Sequence, residues 1–241
     1  MTREELADRQ LANLAGVDSR RIQQAKQKPT LSVEEWRRIN DVMSDAERVQ
    51  YKMAVYDDPN PTVEDICAQA TAQAEQSMAV DGVPLGLIVV DYVQKLQPSA
   101  AVERRKKHEQ VAHATERLKR LARELKVPVI ELAQQKKDEV DRGSGKRPRP
   151  TLGEAAECYQ IERSADNVVY LYRPQERDGR NVRVFIAKQR TGEEDEIDLV
   201  FEKAFSRFVD PNEHDPMAVP SRQYLDKMPE PPPGRFDDED L

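Results

Sequence analysis

The sequence predicts an α/β fold with a mostly parallel sheet and helices on both faces, and three observations carry that reading. Residues 85–92 form a nearly unbroken, β-branched apolar run that reaches the carboxylate of Asp91, as strands buried on both faces do. Residues 103–125 are highly charged, yet Val111, Leu118, Leu121, Ala122 and Leu125 leave an apolar stripe, the mark of a long helix with a solvated face. Residues 127–134 are a second apolar run, so strand, helix and strand follow one another, joined by a right-handed crossover.

The 241 residues are enough for one large domain or a domain with appendages. Only 38% are hydrophobic and 34% are charged, so the core is concentrated in a few segments. Thirty-eight basic against 45 acidic residues give a net charge of −7, which excludes a uniformly basic coat and makes any nucleic-acid contact local. Cys67 and Cys158 lack the spacing for a structural zinc site or a disulfide framework, and a reducing, cytoplasmic setting is expected. No apolar stretch approaches the ~20 residues of a membrane span, and the opening has no signal-peptide run.

From the start, Leu6, Leu11, Leu14, Val17 and Ile22 recur at mostly helical spacing and predict one or two helices over residues 3–25. Ser32 with Glu35 forms a capping box ahead of a helix over residues 33–50. The apolar patch at residues 53–56 is expected as a short strand, closed by the turn-rich string 57–61. Thr62 with Asp65 caps the next helix, whose stripe is Ile66, Ala70 and Ala74. After the two apolar runs, residues 136–150 mix glycine and proline with Arg142, Lys146, Arg147 and Arg149, and predict a mobile basic loop. A modest helix over residues 154–163 precedes a strand at 167–172. Two further strands, 182–187 and 197–201, alternate like neighbours with one wetter face.

Beyond residue 209 come seven prolines, at 211, 216, 220, 229, 231, 232 and 233, and the acidic end Asp237-Asp238-Glu239-Asp240. Residues 210–241 are expected to be a Pro-rich, acidic, disordered tail, and residues 1–209 the folded domain.

A carboxylate at the end of a buried strand is a recurring Mg²⁺ partner in nucleotide-hydrolysing proteins, and Asp91 is placed for it. Many parallel strands also end in Asp with no such role. Gln134 ends the second run, so both side chains should emerge at one carboxyl edge, where α/β sheets bind ligands. Alternatively, Gln134 only starts a loop. By themselves Arg142, Lys146, Arg147 and Arg149 are the charges of a solvated loop. His108, His113 and His214 are scattered and argue against zinc.

Residues 87–96, Leu-Ile-Val-Val-Asp-Tyr-Val-Gln-Lys-Leu, resemble the Walker B segment of DnaB-type replicative DNA helicases, whose strand ends in Asp-Tyr-Leu-Gln. Residues 118–134 resemble the family's helix and strand leading to a Ser-Gln pair, here Ala133-Gln134. Residues 161–168 resemble its Ile-Glu-Gln-Asp-Ala-Asp segment, and residues 187–192 its Gly-Lys-Gln-Arg-Asn-Gly. The ending Phe205-Ser206-Arg207-Phe208 and the opening nine residues also fit, so the resemblance covers about residues 1–209.

The resemblance implies a RecA-like P-loop NTPase core that uses ATP and Mg²⁺, and a ring of subunits, hexameric in the family, that moves on single-stranded DNA. It implies Asp91 as the Mg²⁺-associated carboxylate, Gln134 as the γ-phosphate sensor, and DNA contacts by the loop after Gln94 and by residues 136–150, where Arg142, Lys146, Arg147 and Arg149 would neutralise phosphates without reading bases. Lys188 and Arg190 resemble the pair extended to a neighbouring subunit's nucleotide, where positive charge stabilises the transferring phosphoryl group. By themselves they could equally be exposed strand-end charges.

The sequence departs from the pattern in two places. No GxxxxGK[ST] occurs in these 241 residues, and the family's water-activating Glu has no counterpart. A phosphate cradle needs a glycine turn of backbone N–H groups plus a lysine, so the first strands and the phosphate loop are expected to be missing, and the chain alone not to hydrolyse ATP. The family's Arg-Glu-Ser-Gly is here Ala156-Glu157-Cys158-Tyr159, which alters that loop. The expected function is part of a replicative helicase motor; the alternative is a non-catalytic module that binds or regulates a helicase ring.

Overall fold

The computed structural model describes residues 2–49, 53–134, 149–153, 159–174 and 180–212. It divides into two compact units: one comprises Met1–Arg3 and Lys52–Phe201, the other Glu4–Tyr51 and Glu202–Leu241. The expected tail beyond residue 212, and the basic stretch from 135 to 148, lie outside the described residues.

In the second unit, α1 (Arg3–Ala15), α2 (Ser19–Ala25) and α3 (Val33–Val49) enclose a small core of Ala12, Ala15, Val17, Ile22 and Ile39. The boundaries follow local chemistry. Asp18 accepts from the Arg20 N–H at the start of α2. Ser32 Oγ accepts from the Glu35 N–H while the Glu35 carboxylate takes the Ser32 N–H at 2.7 Å, the capping box expected from sequence. Asp8, nearly buried, is neutralised by Lys26 at 2.7 Å. A short strand, Arg207–Val209, follows a turn closed by Phe205 N–H to Glu202 O.

The first unit holds the larger core. No strand forms over residues 53–56; Met53 and Tyr56 are exposed, and an apolar patch this short gains nothing from extension without a ladder to join. Then comes α4 (Val63–Asp81), started by the Thr62–Asp65 capping box and ended at Gly82, whose φ of +63° is the left-handed conformation glycine adopts freely. Next are β1 (Ile88–Val90), one 3₁₀ turn (Val93–Lys95), α5 (Lys107–Leu125) and β2 (Val129–Glu131). Along α5, Val111, Ala114, Thr115, Leu118 and Leu121 recur at helical spacing and are buried. The apolar members pack with Val63, Cys67, Ile88, Val90, Val93, Leu96, Val127 and Ile161 into one cluster.

The two apolar runs are shorter strands than their composition suggested, and each is covered on one face only among the described residues. Ile88 and Val90 point into the α4–α5 core, whereas Leu87, Val89, Ile130 and Leu132 are exposed. A strand needs partners as well as β-branched residues, and only three rungs pair here: Ile88 with Val129, Val89 with Ile130 and Val90 with Glu131, in parallel. After α6 (Tyr159–Ser164), β3 (Asn167–Tyr172), β4 (Asn181–Gln189) and β5 (Asp195–Glu202) form an antiparallel set. Arg183 lies opposite Asp198 and holds it through Nε at 2.6 Å. Among the described residues no helix is long and apolar enough to cross a membrane.

Candidate nucleotide and subunit site

Because β1 and β2 are parallel and in register, their carboxyl ends share one edge, and Asp91 and Gln134 both leave the sheet there. Both are exposed. The ladder continues past the strands: the Leu132 N–H donates to Val90 O at 2.9 Å and the Val93 N–H to Leu132 O at 3.0 Å. Gln94 then donates through Nε2 to Gln134 O at 2.9 Å and accepts the Gln134 N–H on Oε1 at 3.2 Å. Lys95 sits 5.4 Å from the centre of the Tyr92 ring in the same turn.

An exposed single carboxylate fits Mg²⁺, which keeps most of its waters and is bound chiefly by phosphates. Among the described residues no group of three or more His, Cys, Asp or Glu side chains could hold a metal by itself. The other half of the fit fails, because these 241 residues contain no lysine-bearing glycine turn to cradle the phosphates. No hydrolytic step can therefore be derived from Asp91 and Gln134 alone.

Behind the edge, Glu131 on β2 turns toward α5, where Thr115 Oγ1 donates to its carboxylate at 3.0 Å. Burial pushes the Glu131 carboxyl up to about 7, against the lowering effects of the Thr115 hydroxyl and the Lys119 charge.

The second cluster forms where α6 turns into β3. Lys188 does not extend outward: its ammonium donates to the carbonyls of Glu162 (3.0 Å), Arg163 (3.2 Å) and Ala165 (2.7 Å), satisfying the acceptors a helix leaves at its C-terminus. A register shift aims it there, since Val168 pairs with Lys188 but Val169 pairs with Ile186, leaving Ala187 as an extra residue. Arg190 is the exposed member, 72% accessible, with Nη1 3.0 Å from Asp166 Oδ1. Lys119 reaches the same Asp166 oxygen at 3.3 Å and also donates to Ser164 O. Hydrogen bonds from Arg190 and then Lys119 hold the Asp166 carboxyl below its ordinary value. Gly192 leaves room for the Gln189 carboxamide, which a Cβ there would approach to 2.6 Å.

Glu162, buried, ties this turn to the segment before α6: it accepts from the Gly153 N–H and from the Tyr170 hydroxyl, each at 2.6 Å. Of the basic residues expected to meet DNA, Arg142, Lys146 and Arg147 lie outside the described residues. Arg149 stacks its guanidinium 3.5 Å from the centre of the Phe185 ring.

The structure therefore brings Asp91 and Gln134 to one edge and Lys188 and Arg190 to one turn. Sequence reading missed Gln94, Asp166, Lys119 and Glu131. Gln94 could have been found from its place three residues after Asp91; the others carry no local signal, because their partners are remote in sequence.

The model of the family described as the DnaB-like helicase C-terminal domain matches residues 1–210. The replicative DNA helicase DnaB of Geobacillus stearothermophilus is 31% identical over 214 residues, 87% of this chain and 44% of that protein. The replicative DNA helicase DnaC of Bacillus subtilis is 32% identical over 186 residues, 74% of this chain and 38% of that one. The chain thus spans less than half the length of these relatives. Among solved structures, one described as an ATPase domain superposes with a TM-score of 0.71 at 25% identity, covering 87% of this chain and 71% of that one. A DnaB-like replicative helicase described with its interactions with primase gives a TM-score of 0.70 at 24% identity, covering 87% and 49%, a likeness of fold.

Proposed function

This chain belongs to the family of DnaB-like helicase C-terminal domains, and from that premise we propose that it is the later part of a replicative DNA helicase motor, working in a cytoplasmic ring of subunits on single-stranded DNA. The observation that carries the reading is the shared carboxyl edge of β1 and β2, from which both Asp91 and Gln134 leave, with the Gln94 carboxamide bonded to the Gln134 backbone. In a site completed by a phosphate cradle, Asp91 would hold Mg²⁺ through its waters and Gln134 would reach the γ phosphate of ATP; the metal would supply charge neutralisation on the phosphates.

Arg190, exposed and one hydrogen bond from Asp166, is the member of its pair suited to a neighbour's phosphates. Lys188 supports it from behind by fixing the α6–β3 turn. A hexameric assembly, and DNA contacts by Arg142, Lys146, Arg147 and Arg149, complete the proposal; counterion release on phosphate contact would make that binding strongly salt-dependent.

A second reading, a non-catalytic module that joins or regulates a helicase ring, is favoured by one observation, the lack of GxxxxGK[ST] within these 241 residues. One assay separates the readings. Purified chain should show no ATPase activity alone under either. Combined with a polypeptide carrying the GxxxxGK[ST] segment it should gain DNA-stimulated ATPase activity under the first and none under the second. Tight Mg-ATP binding and turnover by the chain alone would overturn both.

A further inference from the structure

The ladder between β1 and β2 outlasts the strands through a side chain. Beyond Val90 the main chain turns into the 3₁₀ segment Val93–Lys95, and its last backbone rung to the β2 segment is the Val93 N–H on Leu132 O. Gln134, two residues further on, meets a carboxamide instead of a peptide group: Gln94 Oε1 accepts its N–H at 3.2 Å and Gln94 Nε2 donates to its carbonyl at 2.9 Å. A carboxamide has the donor and acceptor of a peptide unit, so it can serve as one rung. Both bonds together also fix the orientation of the amide, since exchanging oxygen and nitrogen would break both.

We propose that Gln94 is a positioning residue: it locks the backbone of Gln134 to the turn that carries Asp91, so the two groups facing the nucleotide move as one body. The inference deepens the nucleotide reading and rests on it for its purpose, though the lock itself is independent. Gln134 lies three residues past the last paired position of β2, Glu131, and is exposed, so the strand ladder does not itself set its direction. A group that is to meet a phosphate oxygen has to be held within about 0.5 Å. Glutamine has the right length and both polarities. Asparagine is one methylene shorter, and leucine fills the space without either bond.

The test is residue-resolved amide hydrogen exchange on the full chain. Wild-type protein is compared with Gln94→Leu and with Gln94→Asn, the latter keeping the polarity of the site in case leucine disturbs folding. Protection at Gln134 is expected to fall by about five- to tenfold in both variants, as for the loss of one ordinary hydrogen bond. The amides of Val93 and Leu132, whose partners are backbone carbonyls, should keep theirs, as should Leu118 in the core. Unchanged protection at Gln134, or an equal loss at Leu118, would overturn the lock. Addition of Mg-ATP and single-stranded DNA, together with the polypeptide carrying the GxxxxGK[ST] segment, then examines its purpose: the signals of Asp91 and Gln134 should shift together in wild type and separately in the variants. No shift at either residue in wild type would sink the nucleotide reading, while the exchange data decide the lock by themselves.

Discussion

Replacing Glu131 by glutamine should stabilise the protein at pH 8.5 and leave it almost unchanged at pH 4.5. The carboxyl of Glu131 faces α5, accepts one hydrogen bond from Thr115, and is raised by burial from 4.5 to about 7. Between those two values the folded chain keeps the proton and the unfolded chain has lost it. Stability therefore falls as pH rises through this window, by up to about 1.4 kcal/mol per pH unit, and levels off above pH 7. The whole difference comes to about 3 kcal/mol as an upper bound, because the half-buried side chain retains some water. Glutamine keeps the shape and an acceptor for Thr115 without the charge. Urea unfolding at a series of pH values from 4.5 to 8.5 gives the comparison. A Glu131→Gln variant whose stability difference from wild type is the same at both ends would refute the argument that burial of this carboxylate is costly.

Three further outcomes follow from the geometry. Lys188→Ala removes a charged donor from three carbonyls and should lower unfolding stability by about 1–3 kcal/mol; Lys188→Arg should not restore it, because a planar guanidinium cannot converge on them, and full stability in either variant would count against the capping role. The Asp166 carboxyl should titrate below 3.8 by NMR and move upward in Arg190→Ala; its small contribution to stability is present above 3.8 and lost as pH falls through the lowered value, and a midpoint unmoved by the substitution would dismiss the pairing. Leu118→Ala empties a fully buried position at the centre of the larger core and should cost about 2–5 kcal/mol in urea unfolding; a loss under about 1 kcal/mol would mean that the core cluster is misassigned.

The parts legible in the sequence were those that depend on periodicity and local chemistry. The helices α1 and α3, the stripe of α5 and both capping boxes needed only neighbours within a turn or two, whereas α1 buries Asp8, Ala12 and Ala15 and leaves Leu14, expected on its stripe, exposed. The same holds for the shared edge of Asp91 and Gln134, which follows from two apolar runs joined by one helix. Strand limits were not legible, because pairing partners decide them: composition extends the first strand over eight residues, whereas rungs exist for three. The direction of Lys188 was hidden for a related reason. A register shift at Val168 turns it onto the end of α6, and nothing in Lys-Gln-Arg announces that. Glu131 looked like an ordinary strand residue, and only its packing on Thr115 makes its ionisation costly.

The rung between Gln94 and Gln134 joins positions 40 apart in the chain, with α5 as the connection. A helix closes turn by turn on a microsecond scale, whereas a parallel pair has to wait for the whole intervening loop to close. During synthesis, then, the ribosome must release Gln134 before the Asp91 turn has a neighbour to settle against, although α5 is by that time free to coil. Scission within α5 would likewise part the two halves of the edge while leaving each strand's own residues intact, so proteolytic survival of that helix is a sensitive gauge of whether the edge has assembled.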